Sequence, residues 1–251
     1  MTERHRYGLA AARRIFLVLC AGAAFAASAA DPSEYSEAER QLFVRPHLEK
    51  ITPPARLHYR YQRSGSLEPE VSDHAVLSLV QEGGARTAEV EFLSAERKLE
   101  LPSPGAVEGN PIILHFLERE IRELRRLAGG AVGFYRSRIR KALAGNATVR
   151  ETEVDYGGKM LKAVEIRIDP YVDDPARSRF EKFADRYYLM VLSPEIPGEV
   201  FQMKAELPAP QGGKGPAGQE AGQEAGKDYG RQAAGILHSE VLTFERQEPG
   251  Q

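Results

Sequence analysis

From Ala55 onward hydrophobic and polar residues alternate with a period of two. Leu57, Tyr59 and Tyr61 stand against His58, Arg60 and Gln62, the pattern of a strand with one buried face. The same signal returns along the chain. Ala75–Val80 is a short apolar run, Ala88, Val90 and Phe92 alternate with Glu89 and Glu91, and Leu99 and Leu101 close before Pro102. Turn residues at Gly83-Gly84 and Ser94-Ala95-Glu96 separate these runs as in a meander. Later strands are expected at Val149–Tyr156, Met160–Ile168, Tyr187–Leu192, Phe201–Leu207 and Ile236–Phe244, with Gly157-Gly158 as a two-residue hairpin turn between the first two.

In the middle of the chain the period changes to that of a helix. Asn110-Pro111 supplies a capping side chain and a proline at the first helical position, and Gly129-Gly130 supplies the stop. Between them Ile113, Phe116, Leu117, Ile121, Leu124 and Leu127 recur every three or four residues. A second helix, from about Val132 to Ala144, carries Tyr135, Ile139, Ala142 and Leu143 on one face. The short connection predicts a helical hairpin. A further short helix is expected from Asp173-Asp174-Pro175 to about Ala184.

These elements predict an α+β fold: one domain over 55–247, a curved, mainly antiparallel sheet of eight or nine strands, and the hairpin over its concave face. Residues 31–54 read as an N-terminal arm with a short helix near Glu37–Leu42. Residues 208–230 hold seven glycines and three prolines and no Val, Ile, Leu, Phe or Met. Such a segment buries too little to offset its ordering entropy and reads as a disordered loop.

The first thirty residues change the picture of where the protein works. Arg4, Arg6, Arg13 and Arg14 precede the apolar run Ile15–Ala27 and the small residues Ser28, Ala29 and Ala30, the layout of a secretory signal peptide cleaved after Ala30 or Ala29. The run is too short to span a bilayer. Arg13-Arg14-Ile15-Phe16-Leu17 resembles the core of a twin-arginine export signal, so export by the general secretory route or the twin-arginine route are both open. Cys20 follows Leu19, which argues against a lipoprotein signal. The whole chain has 34 basic and 36 acidic side chains and one cysteine. Removing 1–30 takes four basic groups, one acidic group and that cysteine, leaving 30 against 35. The expected mature protein is therefore mildly acidic, periplasmic, without a transmembrane segment, and without thiol chemistry or thiolate metal ligands. A nucleic-acid partner is not expected of such a charge balance.

Local motifs add little chemistry. Gly213-x-Gly215-x-x-Gly218 fits a dinucleotide-binding string, but without the strand and helix that would aim backbone N–H groups at a phosphate. His47, His58, His74, His115 and His238 show no metal-ligand spacing, and Asp169, Asp173 and Asp174 read as a helix cap rather than a cation site. Neither a cofactor, a metal nor a catalytic residue is expected. A carboxylate pair of the glycosidase kind leaves no local trace, so a hydrolase remains an alternative.

The helical hairpin is the strongest local signal. Residues 111–145 carry eight basic and three acidic groups. On a helical wheel His115, Arg119, Arg122 and Arg126 share one stripe expected to face solvent, either as a solvated face with Glu118–Arg122 and Arg119–Glu123 pairs or as a docking face for anionic groups. Glu120 is the anomaly. It falls in the middle of the apolar stripe, where an unpaired carboxylate is costly, so neutralisation by protonation, by a ligand or by an arginine of the facing helix is expected, with Arg138 and Arg140 as candidates.

The stretch Gly109–Gly130, with Phe134–Leu143 after it, resembles a family of uncharacterised exported proteobacterial proteins, which implies export from a Gram-negative bacterium and no particular reaction. The order of elements, strands, helical insertion, strands and a late Glu-Val-Phe hairpin, is similar to that of the lipoprotein-carrier (LolA-like) half-barrel proteins of the periplasm. Together these readings predict a periplasmic binding or envelope-assembly protein that holds a lipid or other amphiphile between sheet and hairpin, near Glu120, Arg138, Arg140 and the basic stripe. The alternative is a partner-binding subunit of an envelope complex with no small ligand.

Overall fold

The alternating segments pair into one open sheet of eight antiparallel strands. These are β1 (Ala55–Ser64), β2 (Val71–Glu82), β3 (Ala85–Phe92), β4 (Thr148–Tyr156), β5 (Lys159–Ile168), β6 (Tyr187–Leu192), β7 (Val200–Pro208) and β8 (Ile236–Pro249). The computed structural model describes residues 35–102, 107–179, 181–209 and 235–250, all within one unit, Pro32–Gln251. The proposed signal peptide and nearly all of the glycine-rich segment 208–230 lie outside the described residues.

Strand order is β3-β2-β1-β8-β7-β6-β5-β4. Two meanders, β1–β3 and β4–β8, therefore meet where β8 pairs with β1, from Ala55↔Pro249 to Ser64↔Ser239. The chain travels from one sheet edge, β3, to the other, β4, through the predicted helical hairpin: α2 (Ile112–Ala128) and α3 (Val132–Gly145). A short helix, α1 (Glu37–Glu39), continues as a π turn through Val44. It places Ala38 and Leu42 in the core, with Leu48 and Ile51 following.

The sheet is curved toward the face that carries the helices. The Tyr156 hydroxyl on edge strand β4 donates to the Glu245 carbonyl of β8 at 3.1 Å. In a flat sheet, four strand spacings would put them about 19 Å apart. The Tyr156 and Phe244 rings also meet, centroids 5.7 Å apart.

Two expected elements differ. The run at Leu99 makes only an isolated bridge to Phe92, because Leu93 turns through φ 63° and Pro102 ends the run before a ladder can form. The segment after Asp173 forms two 3-10 turns, Arg177–Arg179 and Glu181–Asp185. Asp174 caps the turn at the Ala176 N–H (2.7 Å), and its other oxygen is drawn to Arg138, which ties the start of the segment to α3. Gly157 and Gly158 both have positive φ, 63° and 82°, as the tight β4–β5 turn demands.

Gly198 is the tightest backbone position near the helix start. Its φ is 74°, and a Cβ there would sit 2.6 Å from Leu57 Cδ1 and 2.9 Å from Asn110 Nδ2. Gly198→Ala is expected to lower unfolding free energy by about 1–3 kcal/mol, read from urea denaturation. An unchanged midpoint would mean that the 193–199 turn relaxes freely.

Candidate functional site

Strand register sorts the inward side chains by position along the strands. At one end Arg63 (β1), His238 and Glu240 (β8) and Arg186, immediately before β6, lie at neighbouring inward positions, since Arg63 pairs with Glu240 and Tyr187 with Glu206. Towards the other end the same face carries Leu57, Tyr59, Met190, Leu192, Met203, Leu242 and Phe244, all buried. The interior of the sheet thus has a charged end and an apolar remainder.

Helix α2 lies over this face and closes the charged end with its own ions. Arg186, Glu120 and Glu240 are fully buried. Arg186 donates from Nε to Glu120 Oε2 at 3.0 Å and from Nη2 to the same oxygen, and its Nη1 meets His238 Nδ1 at 3.0 Å. Arg119 donates to Glu123 Oε2 at 2.7 Å and reaches Glu240 Oε1 at 3.4 Å. At the rim Arg126 bridges Glu123 and Glu68, and Arg63 pairs with Glu68 at 3.2 Å.

One proton completes the cluster. Glu120 and Glu240 share a hydrogen bond, with the Tyr61 hydroxyl of β1 also within bonding reach of Glu240, and two carboxyl groups can bond only if one is protonated. Burial pushes Glu120 well above the usual carboxylate range against the pull of Arg186, and the Glu240 charge adds to the rise. Burial also opposes ionisation of Glu240, but Arg119, the bond from Glu120 and Arg186 together hold it below its ordinary value. Glu120 therefore keeps the proton and donates it to Glu240. Burial and the Arg186 charge keep His238 neutral. For Glu123, burial is outweighed by Arg126 and Arg119, which bring it down to about 2.

Glu68, Glu123 and His238 offer donor atoms within 4.8 Å of one another, close enough to surround a metal ion. The set fits one poorly. Arg126 already bonds both carboxylates. Arg186 donates to His238 Nδ1, which places the imidazole proton on Nε2, the nitrogen that faces Glu68 and Glu240 at 3.5 and 3.7 Å.

The residues singled out from sequence are redistributed. Glu120 is buried, as its wheel position predicts, but its partner is Arg186 and not Arg138 or Arg140. Arg138 pairs with Asp174 and lies 4.9 Å over the Phe134 ring, and Arg140 is exposed. The expected solvent stripe is also corrected. His115 and Arg119 are buried, with His115 stacked on Phe92 at 5.9 Å, whereas Arg122 and Arg126 remain exposed. Helix α2 sits inside the curve of the sheet, so its flank as well as its apolar stripe meets strands. Its solvent face is Leu114, Glu118, Arg122 and Arg125. Of the expected helix pairs Arg119–Glu123 forms, while Glu118 pairs with Arg136 of α3, bidentate at 2.8 Å.

Arg186, His238 and Glu240 were missed. Alternation held the signal: His238 and Glu240 share the parity of Leu242 and Phe244, and Arg186 shares that of Tyr188 and Met190. Two open clefts, about 490 Å³ beside Arg167, Val172 and Tyr187 and about 500 Å³ beside Gln81, Arg86 and Glu108, are lined by none of the cluster residues. Among the described residues no helix is long and apolar enough to cross a membrane.

No protein-family model matches the chain, and no curated protein sequence matches it. Among solved structures the chain is similar to the lipoprotein LppX of Mycobacterium tuberculosis, at 11% identity over 78% of this chain and 88% of that one, with a TM-score of 0.30. It is also similar to a LolA superfamily protein from Nitrosomonas europaea, at 9% identity over 82% of this chain and 92% of that one, with a TM-score of 0.21.

Proposed function

We propose that the protein binds an amphiphile in the periplasm, with the ligand lying between the sheet and the α2–α3 hairpin and the hairpin acting as a hinged cover. The observation that carries this reading is the graded interior: β1, β8 and the chain entering β6 carry charged inward side chains at the Arg186–His238–Glu240 end and apolar ones from Tyr59 and Leu242 onward, which matches a molecule with a polar head and a hydrocarbon tail.

The cover can move without opening the sheet. Neither helix contributes a strand, and all eight strands remain hydrogen-bonded in sequence without them. Its contact with the sheet also includes buried ions, whose desolvation offsets much of their attraction, so the closed state gains less from them than from an apolar contact of equal size. In the arrangement described here α2 fills the space with Ile113, Phe116, Ile121 and Leu124. Binding therefore requires the hairpin to lift.

Native mass spectrometry of protein isolated from a bacterial periplasm without detergent tests the reading. One acyl-chain molecule per chain is expected. Protein that emerges empty, and that takes up neither a neutral hydrophobic dye nor lipid from vesicles, would overturn it.

A further inference from the structure

Lifting the hairpin separates the buried cluster into two halves with different needs. Glu120, Arg119 and Glu123 leave with α2. Arg186, His238 and Glu240 stay with the sheet. Arg186 then lacks the carboxyl group that had held two of its nitrogens, and Glu240, which keeps the Tyr61 hydroxyl of β1 beside it, loses both the Glu120 O–H and the Arg119 guanidinium. Both losses are of buried partners and are costly if nothing takes their place.

Resting on the amphiphile reading above, we infer that the ligand is a long-chain carboxylic acid whose carboxyl group replaces that of Glu120 between Arg186 and Glu240. The argument is one of donor and acceptor count. The replacement must accept from the Arg186 fork through one oxygen and donate an O–H to Glu240. A protonated carboxyl group does both, as the Glu120 side chain does in the closed state. An ester accepts but cannot donate. An alcohol donates but offers one oxygen in place of the planar pair. A phosphodiester is permanently anionic, has no proton to give, and would set a second negative charge against Glu240. With the head so placed, the tail runs along the inward apolar positions of β1, β6, β7 and β8.

The proton need not come from outside. Glu120, once exposed to water, releases the one it held, and the incoming carboxylate takes one up, so the exchange balances.

The test is displacement of N-phenyl-1-naphthylamine from the mature full-length protein at pH 7 by dodecanoic acid, methyl dodecanoate, 1-dodecanol and vesicles of phosphatidylglycerol. Dodecanoic acid is expected to displace the dye at a concentration about tenfold or more below that of the ester and the alcohol, because neither of these can place one oxygen on Arg186 and a separate O–H on Glu240, and a hydrogen bond to a charged group is at stake. Arg186→Lys keeps the charge but loses the fork, and is expected to remove that preference. Equal potency of acid, ester and alcohol, or phosphatidylglycerol more potent than the acid, would overturn the headgroup assignment and leave the amphiphile reading standing. A protein that neither binds the dye nor takes any of the four would end both. Should Arg186→Lys fail to fold, the ligand series on the unaltered protein decides alone.

Discussion

Arg186→Met is expected to lower the unfolding free energy by about 3–5 kcal/mol, because it leaves the buried Glu120 carboxyl without its donor and the buried Glu240 charge without one of its two nearby cations. Urea denaturation at pH 7 measures this. Adding Glu120→Leu to Arg186→Met should recover a large part of the loss, since the unsatisfied Glu120 carboxyl goes with it. Glu120→Gln behaves differently. The glutamine oxygen accepts from Arg186, and its amide donates to Glu240 as the protonated carboxyl does. Glu120 holds its proton in the folded protein above the usual range, while the unfolded chain releases it near the ordinary 4.5. The wild type therefore loses stability relative to Glu120→Gln as pH rises above that value. The advantage of the Gln variant should be larger at pH 8 than at pH 5. Glu123 works with the opposite sign: held down to about 2, it contributes stability above pH 4.5 that is lost as pH falls toward 2. An Arg186→Met protein of wild-type stability, or a Gln variant as damaged as Arg186→Met, would mean that the cluster is wet and open.

Asn110→Ala is the second large effect, expected at about 3 kcal/mol or more. One side chain serves three groups. Its Oδ1 accepts the Ile112 N–H at 3.1 Å, and its Nδ2 donates to the Tyr59 hydroxyl at 3.0 Å and the Gly198 carbonyl at 2.9 Å. A lost helix cap costs about 1 kcal/mol, and each buried group left unsatisfied adds about 1 kcal/mol at least. The Asn110 N–H, which donates to His47 Nδ1 at 3.1 Å, survives the change, so the chain should keep its path while α2 loses its anchor to β1 and to the turn before β7. Hydrogen exchange separates the two parts: amides in the first turns of α2 should lose protection while those of β1 keep theirs. Uniform loss would place the effect in the whole domain, and no loss would mean that water replaces the amide at no cost.

The local pattern of the chain determined a great deal. Period-two alternation, with the short apolar run Ala75–Val80, located all eight strands, and the capping residue, apolar spacing and glycine stop located α2 to within a residue or two. Such features depend on a few neighbouring residues, and backbone propensity and one-sided burial act at that range. The burial of Glu120 was legible for the same reason, because a carboxylate on an apolar stripe must go where the stripe goes. Its partner was not. Arg186 lies 66 residues away in sequence, and the choice between it and the nearer Arg138 and Arg140 depends on how strands on either side of the hairpin close around α2. Curvature decided the rest. A wheel assumes one buried face, but a helix set inside a curved sheet meets protein along its flanks, so His115 and Arg119 are buried where the wheel put them in water. The order in which β8 comes to lie beside β1, and hence the meeting of Arg186, His238 and Glu240 under Glu120, comes from tertiary structure alone, because strand order is set by long-range pairing and packing that leave no mark in any local stretch of sequence.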